Sequence, residues 1–66
     1  MRVTANGKDY DAPAGTSVEG FIRLRGLDPR LIVVELNGEA LERSRYAATT
    51  LSDGDRLELV RAVAGG

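Results

Sequence analysis

Two Asn-Gly dipeptides, Asn6-Gly7 and Asn37-Gly38, constrain the fold of this chain more than any other feature. Asn-Gly favours the type I′ turn, whose two central residues have positive φ and which joins two antiparallel strands into a tight hairpin. Strand-like segments flank both turns, at residues 1–6, 8–12, 31–36 and 39–41. The sequence therefore predicts two β-hairpins, and the strongly β-prone run 31–36 is expected to be an interior strand.

One helix is predicted between the two hairpins. Residues 16–19 have the spacing of a capping box, in which the Thr16 hydroxyl accepts from the Glu19 amide. The apolar face that follows, at i, i+3 and i+4, consists of Val18, Phe21 and Ile22. Gly26 supplies the left-handed residue that ends the helix. Gly20 in the interior costs about 1 kcal/mol relative to alanine, so we expect packing rather than propensity to hold the helix.

The second half of the chain is predicted to end in one more strand. Residues 42–51 form an irregular polar stretch, residues 52–55 a sharp turn, and residues 56–63 the last strand. Asp53 and Asp55 carry oxygen ligands of the kind that calcium prefers. The other spaced ligands of a calcium loop are missing, however, so we expect a plain turn.

Alternation along the last strand assigns its two faces. Leu57 and Leu59 alternate with charged residues, which predicts that both leucines face the helix. Val60 and Ala62 then fall on the outer face. The predicted architecture is α+β: a small mixed sheet of four to five strands with one helix packed across one face.

Composition excludes several classes of function. The chain has 66 residues, a length expected for one domain over residues 1–66, and contains neither cysteine nor histidine, which excludes disulfides and most zinc, haem and triad chemistry. The chain has nine basic and ten acidic residues, so its net charge is near zero and nucleic-acid binding is not expected. The arginines at 23, 25 and 30 are interpreted as part of a solvated surface. No apolar run is long enough to span a bilayer, and the expected compartment is the cytoplasm.

Taken together, these residues resemble a known family. The two hairpins, the capped helix, the runs VVELNGEAL and LSDGDRLELVRAV and the final Gly65-Gly66 are similar to the ubiquitin-like sulfur carrier proteins of thiamine biosynthesis, the ThiS family. The resemblance covers the whole chain and implies a β-grasp fold. Arg25 stands where a leucine is more usual in the family, and with Gly20 it is expected to lower the stability of the helix.

The resemblance also implies a mechanism centred on Gly66. In this family an ATP-dependent adenylating enzyme, which uses Mg²⁺, converts the terminal carboxylate to an acyl-adenylate, and sulfur from a donor such as a cysteine desulfurase system then displaces AMP. The resulting thiocarboxylate passes its sulfur to thiazole synthase. Because glycine has no Cβ, Gly65, with Ala64 before it, can thread into a narrow cleft at low steric cost. The chain itself is expected to bind no cofactor and to be a co-substrate rather than an enzyme.

Apolar residues before the tail are interpreted as a docking site for the adenylating enzyme, namely Val60, Ala62 and Val63. We expect the tail from about Ala64 onward to be mobile and the free protein to be a monomer. Two alternatives remain open on the sequence alone. One is a related carrier, such as the small subunit of molybdopterin synthase, and the other is a β-grasp interaction module that carries no sulfur.

Overall fold

The computed structural model describes residues 1–62, so that Val63, Ala64, Gly65 and Gly66 lie outside the described residues. Five strands and one α-helix are present in the described part: β1 (Arg2–Ala5), β2 (Lys8–Asp11), α1 (Val18–Leu24), β3 (Ile32–Leu36), β4 (Glu39–Leu41) and β5 (Arg56–Arg61). Short 3-10 turns occupy Pro29–Leu31 and Arg43–Arg45. The predicted succession of strands and helix is confirmed.

The five strands form one mixed sheet in the order β2-β1-β5-β3-β4. Strands β1 and β5 are parallel, whereas β5 is antiparallel to β3 along its length. The last strand therefore lies at the centre of the sheet, between the two hairpins. This strand was predicted to end at residue 63, and within the described residues it ends at Arg61.

Both Asn-Gly turns have the predicted conformation. Asn6 and Gly7 have φ of 51° and 80°, and Asn37 and Gly38 have φ of 53° and 85°. Positive φ at both central residues defines the type I′ turn, whose twist matches that of the strands it joins. The hairpins β1–β2 and β3–β4 are therefore set by local sequence.

The cap of α1 differs from the prediction. Ser17, not Thr16, is the N-cap residue, and its hydroxyl accepts from the Gly20 amide at 3.0 Å. The Thr16 hydroxyl instead donates to the Pro13 carbonyl at 2.6 Å. The Glu19 amide, which the capping box assigned to Thr16, donates to the carbonyl of Tyr46 at 3.1 Å. The capping box was wrong because a distant segment satisfies this donor.

The other end of α1 follows the prediction. Gly26 has φ of 75°, and its amide donates to the Arg23 carbonyl at 2.9 Å. The Leu27 amide folds back to the Ile22 carbonyl at 3.1 Å. These two bonds form a Schellman motif, which satisfies carbonyls that the helix leaves unpaired at its end.

The core lies between α1 and one face of the sheet. Its buried members are Val3, Ala5, Ala12, Val18, Phe21, Ile22, Ile32, Val34, Tyr46, Leu51 and Leu57. Leu57 is buried and Leu59 packs against this cluster, so both leucines lie on the helix side as predicted. Tyr46 was missed, since residues 42–51 were interpreted as a polar stretch. Its side chain is only 2% exposed, and its hydroxyl donates to the Ile32 carbonyl at 2.9 Å.

Candidate functional site

The end of β5 carries the residues predicted to dock a partner. The ladder between β5 and the chain before β3 continues one step past Arg61, because the Ala62 amide donates to the Leu31 carbonyl at 2.7 Å. Val60 is 59% exposed and Ala62 is half-buried. The predicted site residues Val63, Ala64, Gly65 and Gly66 lie outside the described residues. Of the predicted site residues, the structure therefore describes only Val60 and Ala62.

Two further apolar side chains near the end of β5 are exposed, Val33 opposite Val60 and Leu31 opposite Ala62, and the sequence analysis did not single them out. Val33 on β3 is the direct cross-strand partner of Val60 and is 47% exposed, and Leu31 is 43% exposed. Alternation within β3 could have assigned Val33 to the outer face. Its position opposite Val60 depends on the β3–β5 register, which alternation does not define. The apolar surface is therefore larger than the predicted set.

The next cross-strand pair on the same outer face is acidic. Glu35 on β3 lies directly opposite Glu58 on β5, and both side chains are exposed. Both residues line a shallow groove of about 640 Å³ between the two hairpin turns, together with Thr4 and Arg56. The outer face thus changes from apolar near the end of β5 to acidic at its middle.

The aspartates of the turn before β5 accept hydrogen bonds from backbone amides. The carboxylate of Asp53 accepts from the Arg2 amide at 2.6 Å, and that of Asp55 accepts from the Ser52 amide at 2.7 Å. Among residues 1–62 there is no group of three or more acidic side chains that could hold a metal ion. The same residues include no helix long and apolar enough to cross a membrane.

The arginines near the end of α1 make separate contacts. The guanidinium of Arg25 lies 4.1 Å from the centre of the Tyr10 ring, which meets Phe21 edge to face. Arg30 forms a salt bridge of 2.8 Å with Asp28. Hydrogen bonds from the side chain and the backbone amide of Arg30 lower the pKa of Asp28 to about 2. Arg25 therefore stacks its guanidinium on the Tyr10 ring, which itself packs against Phe21 of the helix.

Comparison with known proteins identifies the family. The ThiS family model matches residues 2–66. The chain belongs to the ThiS family. It is 32% identical over 62 residues to the sulfur carrier protein ThiS of Bacillus subtilis, an alignment that covers 92% of this chain and 94% of that protein.

A solved member of the family has the same fold. The crystal structure of the thiamine biosynthesis protein ThiS from Geobacter metallireducens superposes with a TM-score of 0.82 at 36% identity, and the match covers all of both chains. The solution structure of a thiamine biosynthesis protein from the same organism superposes with a TM-score of 0.79, and the match covers 88% of that protein. The five-stranded mixed sheet with one helix is thus the ubiquitin-like β-grasp, as the sequence predicts.

Two longer relatives contain a similar stretch. The thiazole synthases of Magnetococcus marinus and Paramagnetospirillum magneticum are 35% and 36% identical to the chain over 66 residues. The alignment covers all of this chain but only 20% of each synthase. The chain therefore spans about a fifth of the length of these thiazole synthases.

Proposed function

We propose that the chain is a sulfur carrier of thiamine biosynthesis and acts as a protein co-substrate rather than as an enzyme. The ThiS family match over residues 2–66 carries this proposal, since it includes the Gly65-Gly66 segment. The similarity to a sulfur carrier over nearly its full length supports the same function. The similarity to thiazole synthases supports thiazole synthase as the partner that receives the sulfur.

The reactive group in this proposal is the carboxylate of Gly66. A carboxylate is a poor electrophile, so it is first activated: a carboxylate oxygen attacks the α-phosphorus of ATP, which the adenylating enzyme holds with Mg²⁺, and pyrophosphate leaves. A sulfur nucleophile then adds at the acyl carbon and AMP leaves. Gly65 and Ala64 present little side-chain bulk, which suits a segment that enters a narrow active site.

The proposed docking residues for the adenylating enzyme are Val60, Ala62 and Val63. The exposure of Val60 supports this role, and the neighbouring Val33 enlarges the apolar surface that an enzyme can cover. Burial of a central apolar anchor in an interface contributes about 2 kcal/mol. The docking surface would hold the carrier while the tail reaches the nucleotide.

The proposal is tested by extending the chain with one alanine after Gly66. Because the fold of residues 1–62 does not depend on the added residue, the thermal midpoint should stay unchanged. With the adenylating enzyme, ATP and a sulfur donor, the native chain should gain the mass difference between sulfur and oxygen, and the extended chain should not. Equal thiocarboxylate yields from both chains would contradict the proposed role of Gly66.

A further inference from the structure

The last strand is held to the sheet from one side only as it approaches the tail. The paired residues of β1 end opposite Leu57, and the side chain of Asn6 adds one more step at Leu59. Beyond that point the described residues of β5 pair with β3 alone, up to Ile32 with Arg61. The start of the tail therefore depends on the chain just before β3.

Leu31 makes the last of these contacts, and it belongs to a turn as well as to the ladder. Its carbonyl accepts from the amide of Ala62, the last described residue, at 2.7 Å. Its own amide donates to the carbonyl of Asp28 at 2.9 Å. The position of Ala62 is therefore set by the turn that ends at Leu31.

Residues 28–31 form this turn, the anchor turn, and it is closed by its own side chains. One carboxylate oxygen of Asp28 accepts from the Arg30 amide at 2.9 Å, and the other accepts from the Arg30 guanidinium at 2.8 Å. Pro29 begins the 3-10 turn with its φ fixed by the ring. Arg43 Nε also donates to the Pro29 carbonyl at 3.3 Å. Local bonds and one distant side chain thus hold the Leu31 carbonyl in place.

The length of chain between the last fixed residue and Gly66 decides how readily the carboxylate reaches a nucleotide in a partner. With the Leu31–Ala62 bond in place, residues 63–66 follow the anchor. Hydrogen-bonded pairs of an antiparallel ladder are two residues apart, so release of this bond would also free residues 61 and 62. The partner would then have to order both again, and ordering one residue lowers an equilibrium constant by about fivefold or more.

We propose that the anchor turn fixes the point from which the tail leaves the sheet, and that Asp28 is a positioning residue for the reaction of Gly66, acting through Leu31. The inference rests on the proposed function, because it concerns how the Gly66 carboxylate is presented. The docking surface decides how tightly the adenylating enzyme holds the carrier. The anchor turn decides how often the carboxylate of a docked carrier meets the nucleotide, which is a contribution to kcat rather than to KM.

The first experiment releases the turn with Asp28→Ala, which removes the cap and leaves the docking residues unchanged. Hydrogen exchange of the Ala62 amide should become about fivefold faster, because a capping carboxylate is lost beside a bond at the end of a strand. With the adenylating enzyme of the same organism and ATP, kcat for acyl-adenylate formation should fall about twofold, with KM for the carrier unchanged.

The second experiment removes the anchored bond itself. Ala62→Pro deletes the amide that donates to Leu31 and should lower kcat by about fivefold. Because Asp28 acts only through this bond, Asp28→Ala should cause no further loss of kcat in the Ala62→Pro background. This strong departure from additivity separates a positioning role from two independent defects.

Two variants serve as controls. Asp28→Asn keeps an oxygen that caps the turn, so it should retain the native exchange rate at Ala62 and the native kcat. Asp53→Ala removes a carboxylate of the same kind, which accepts from the Arg2 amide at 2.6 Å in the turn before β5. It should lower the thermal midpoint about as much as Asp28→Ala does, without changing exchange at Ala62 or kcat.

Three results would overturn the inference. They are native exchange at Ala62 in Asp28→Ala, faster exchange with an unchanged kcat, and an equal fall of kcat in Asp53→Ala, which would assign the effect to stability alone. Failure of the proposed function gives a different result. If the native chain forms no acyl-adenylate, that function fails and this inference with it, whereas a native chain that reacts no faster than Asp28→Ala rejects the anchor turn only.

Discussion

Asn6 has two roles, one in its own turn and one on a strand far along the chain. It adopts the positive φ of the type I′ turn, and its side-chain amide pairs with Leu59 on β5. The Leu59 amide donates to Asn6 Oδ1 at 2.8 Å, and Asn6 Nδ2 donates to the Leu59 carbonyl at 3.0 Å. The side chain thus continues the β1–β5 ladder, whose paired residues end at Leu57 on β5.

We expect Asn6→Gly to lower the free energy of unfolding by about 1 kcal/mol, because glycine keeps the turn but loses both bonds to Leu59. Asn6→Ala should lose about 1 kcal/mol more, since alanine is strained at positive φ. Chemical denaturation of the two variants measures the loss of the side-chain bonds and the added strain separately. Equal stability of Asn6→Gly and the native chain would show that the amide bonds to β5 contribute nothing.

Asp28 gives a prediction for acidic pH. Its pKa is about 2 in the folded chain, against an ordinary value of 3.8, because Arg30 donates to the ionised carboxylate. A lowered pKa in the folded state contributes stability that is complete above the unfolded pKa and is lost as the pH falls through the folded one. NMR titration of the Asp28 carboxyl should give a midpoint near pH 2.

Arg30→Gln removes the guanidinium and should move that midpoint towards 3.8, with less change in stability between neutral and acidic pH. Arg23→Gln is the control, because Arg23 makes only a small contribution to the pKa of Asp28. A midpoint that stays near 2 without the Arg30 guanidinium would assign the shift to another group.

Helix α1 shows how a short element is held by its surroundings. It has seven residues, too few for a stable isolated helix. Three donors of its first turn have partners: Val18 donates to the Thr49 carbonyl, Glu19 to the Tyr46 carbonyl and Gly20 to the Ser17 hydroxyl. Two of the three acceptors thus come from the segment before β5, which acts as a cap for the helix.

Gly20 and Ser17 should be energetically coupled. A Cβ at position 20 would lie 3.3 Å from Ser17 Oγ, the atom that accepts from the Gly20 amide. Ser17→Ala should cost about 1 kcal/mol through loss of the cap. Gly20→Ala gains helix propensity but presses on this hydroxyl, so it should be more favourable in a Ser17→Ala background than in the native one, by about 0.5 kcal/mol or more.

A double-mutant cycle of the thermal or denaturant midpoints measures this coupling. Thr16→Val serves as the comparison, because the Thr16 hydroxyl binds the Pro13 carbonyl and not the helix. Strictly additive effects of Ser17→Ala and Gly20→Ala, or a larger loss from Thr16→Val than from Ser17→Ala, would contradict the observed cap.

At the scale of the whole molecule, residues 42–51 connect the helix to the sheet. Tyr46 is buried and donates to the Ile32 carbonyl on β3, while the backbone of the same segment accepts from α1. Leu51 is buried as well, and its amide donates to the Thr16 carbonyl. This segment therefore joins the two layers and fills one end of the core between them.

Tyr46→Phe should lower the free energy of unfolding by about 1 to 2 kcal/mol, because it removes a buried hydrogen bond while nearly conserving volume. Tyr10→Phe is the matched control, since the Tyr10 hydroxyl makes no hydrogen bond within residues 1–62, and it should change stability by less than about 0.5 kcal/mol. Equal losses in both variants would indicate that the Tyr46 hydroxyl is not what anchors the segment.

Local features of the sequence were sufficient to predict the hairpins, the single helix and the face assignments of β5. Positive φ at Asn-Gly, the left-handed Gly26 and the period of two in strands depend on a few adjacent residues, so they can be inferred without knowing what lies nearby. The family resemblance, and with it the fold class, was also evident from the sequence and is confirmed by the comparisons.

The position of the helix cap, the burial of Tyr46 and the strand register depend on contacts between residues that are distant in sequence. Ser17 is the cap because Tyr46 and Thr49 supply acceptors for the neighbouring amides. Tyr46 can be buried because its hydroxyl has a partner on β3. The pairing of Glu35 with Glu58 follows from the register of β3 against β5. Sequence periodicity assigns a side chain to a face, but only the packed sheet brings particular side chains opposite each other, because register depends on every strand at once.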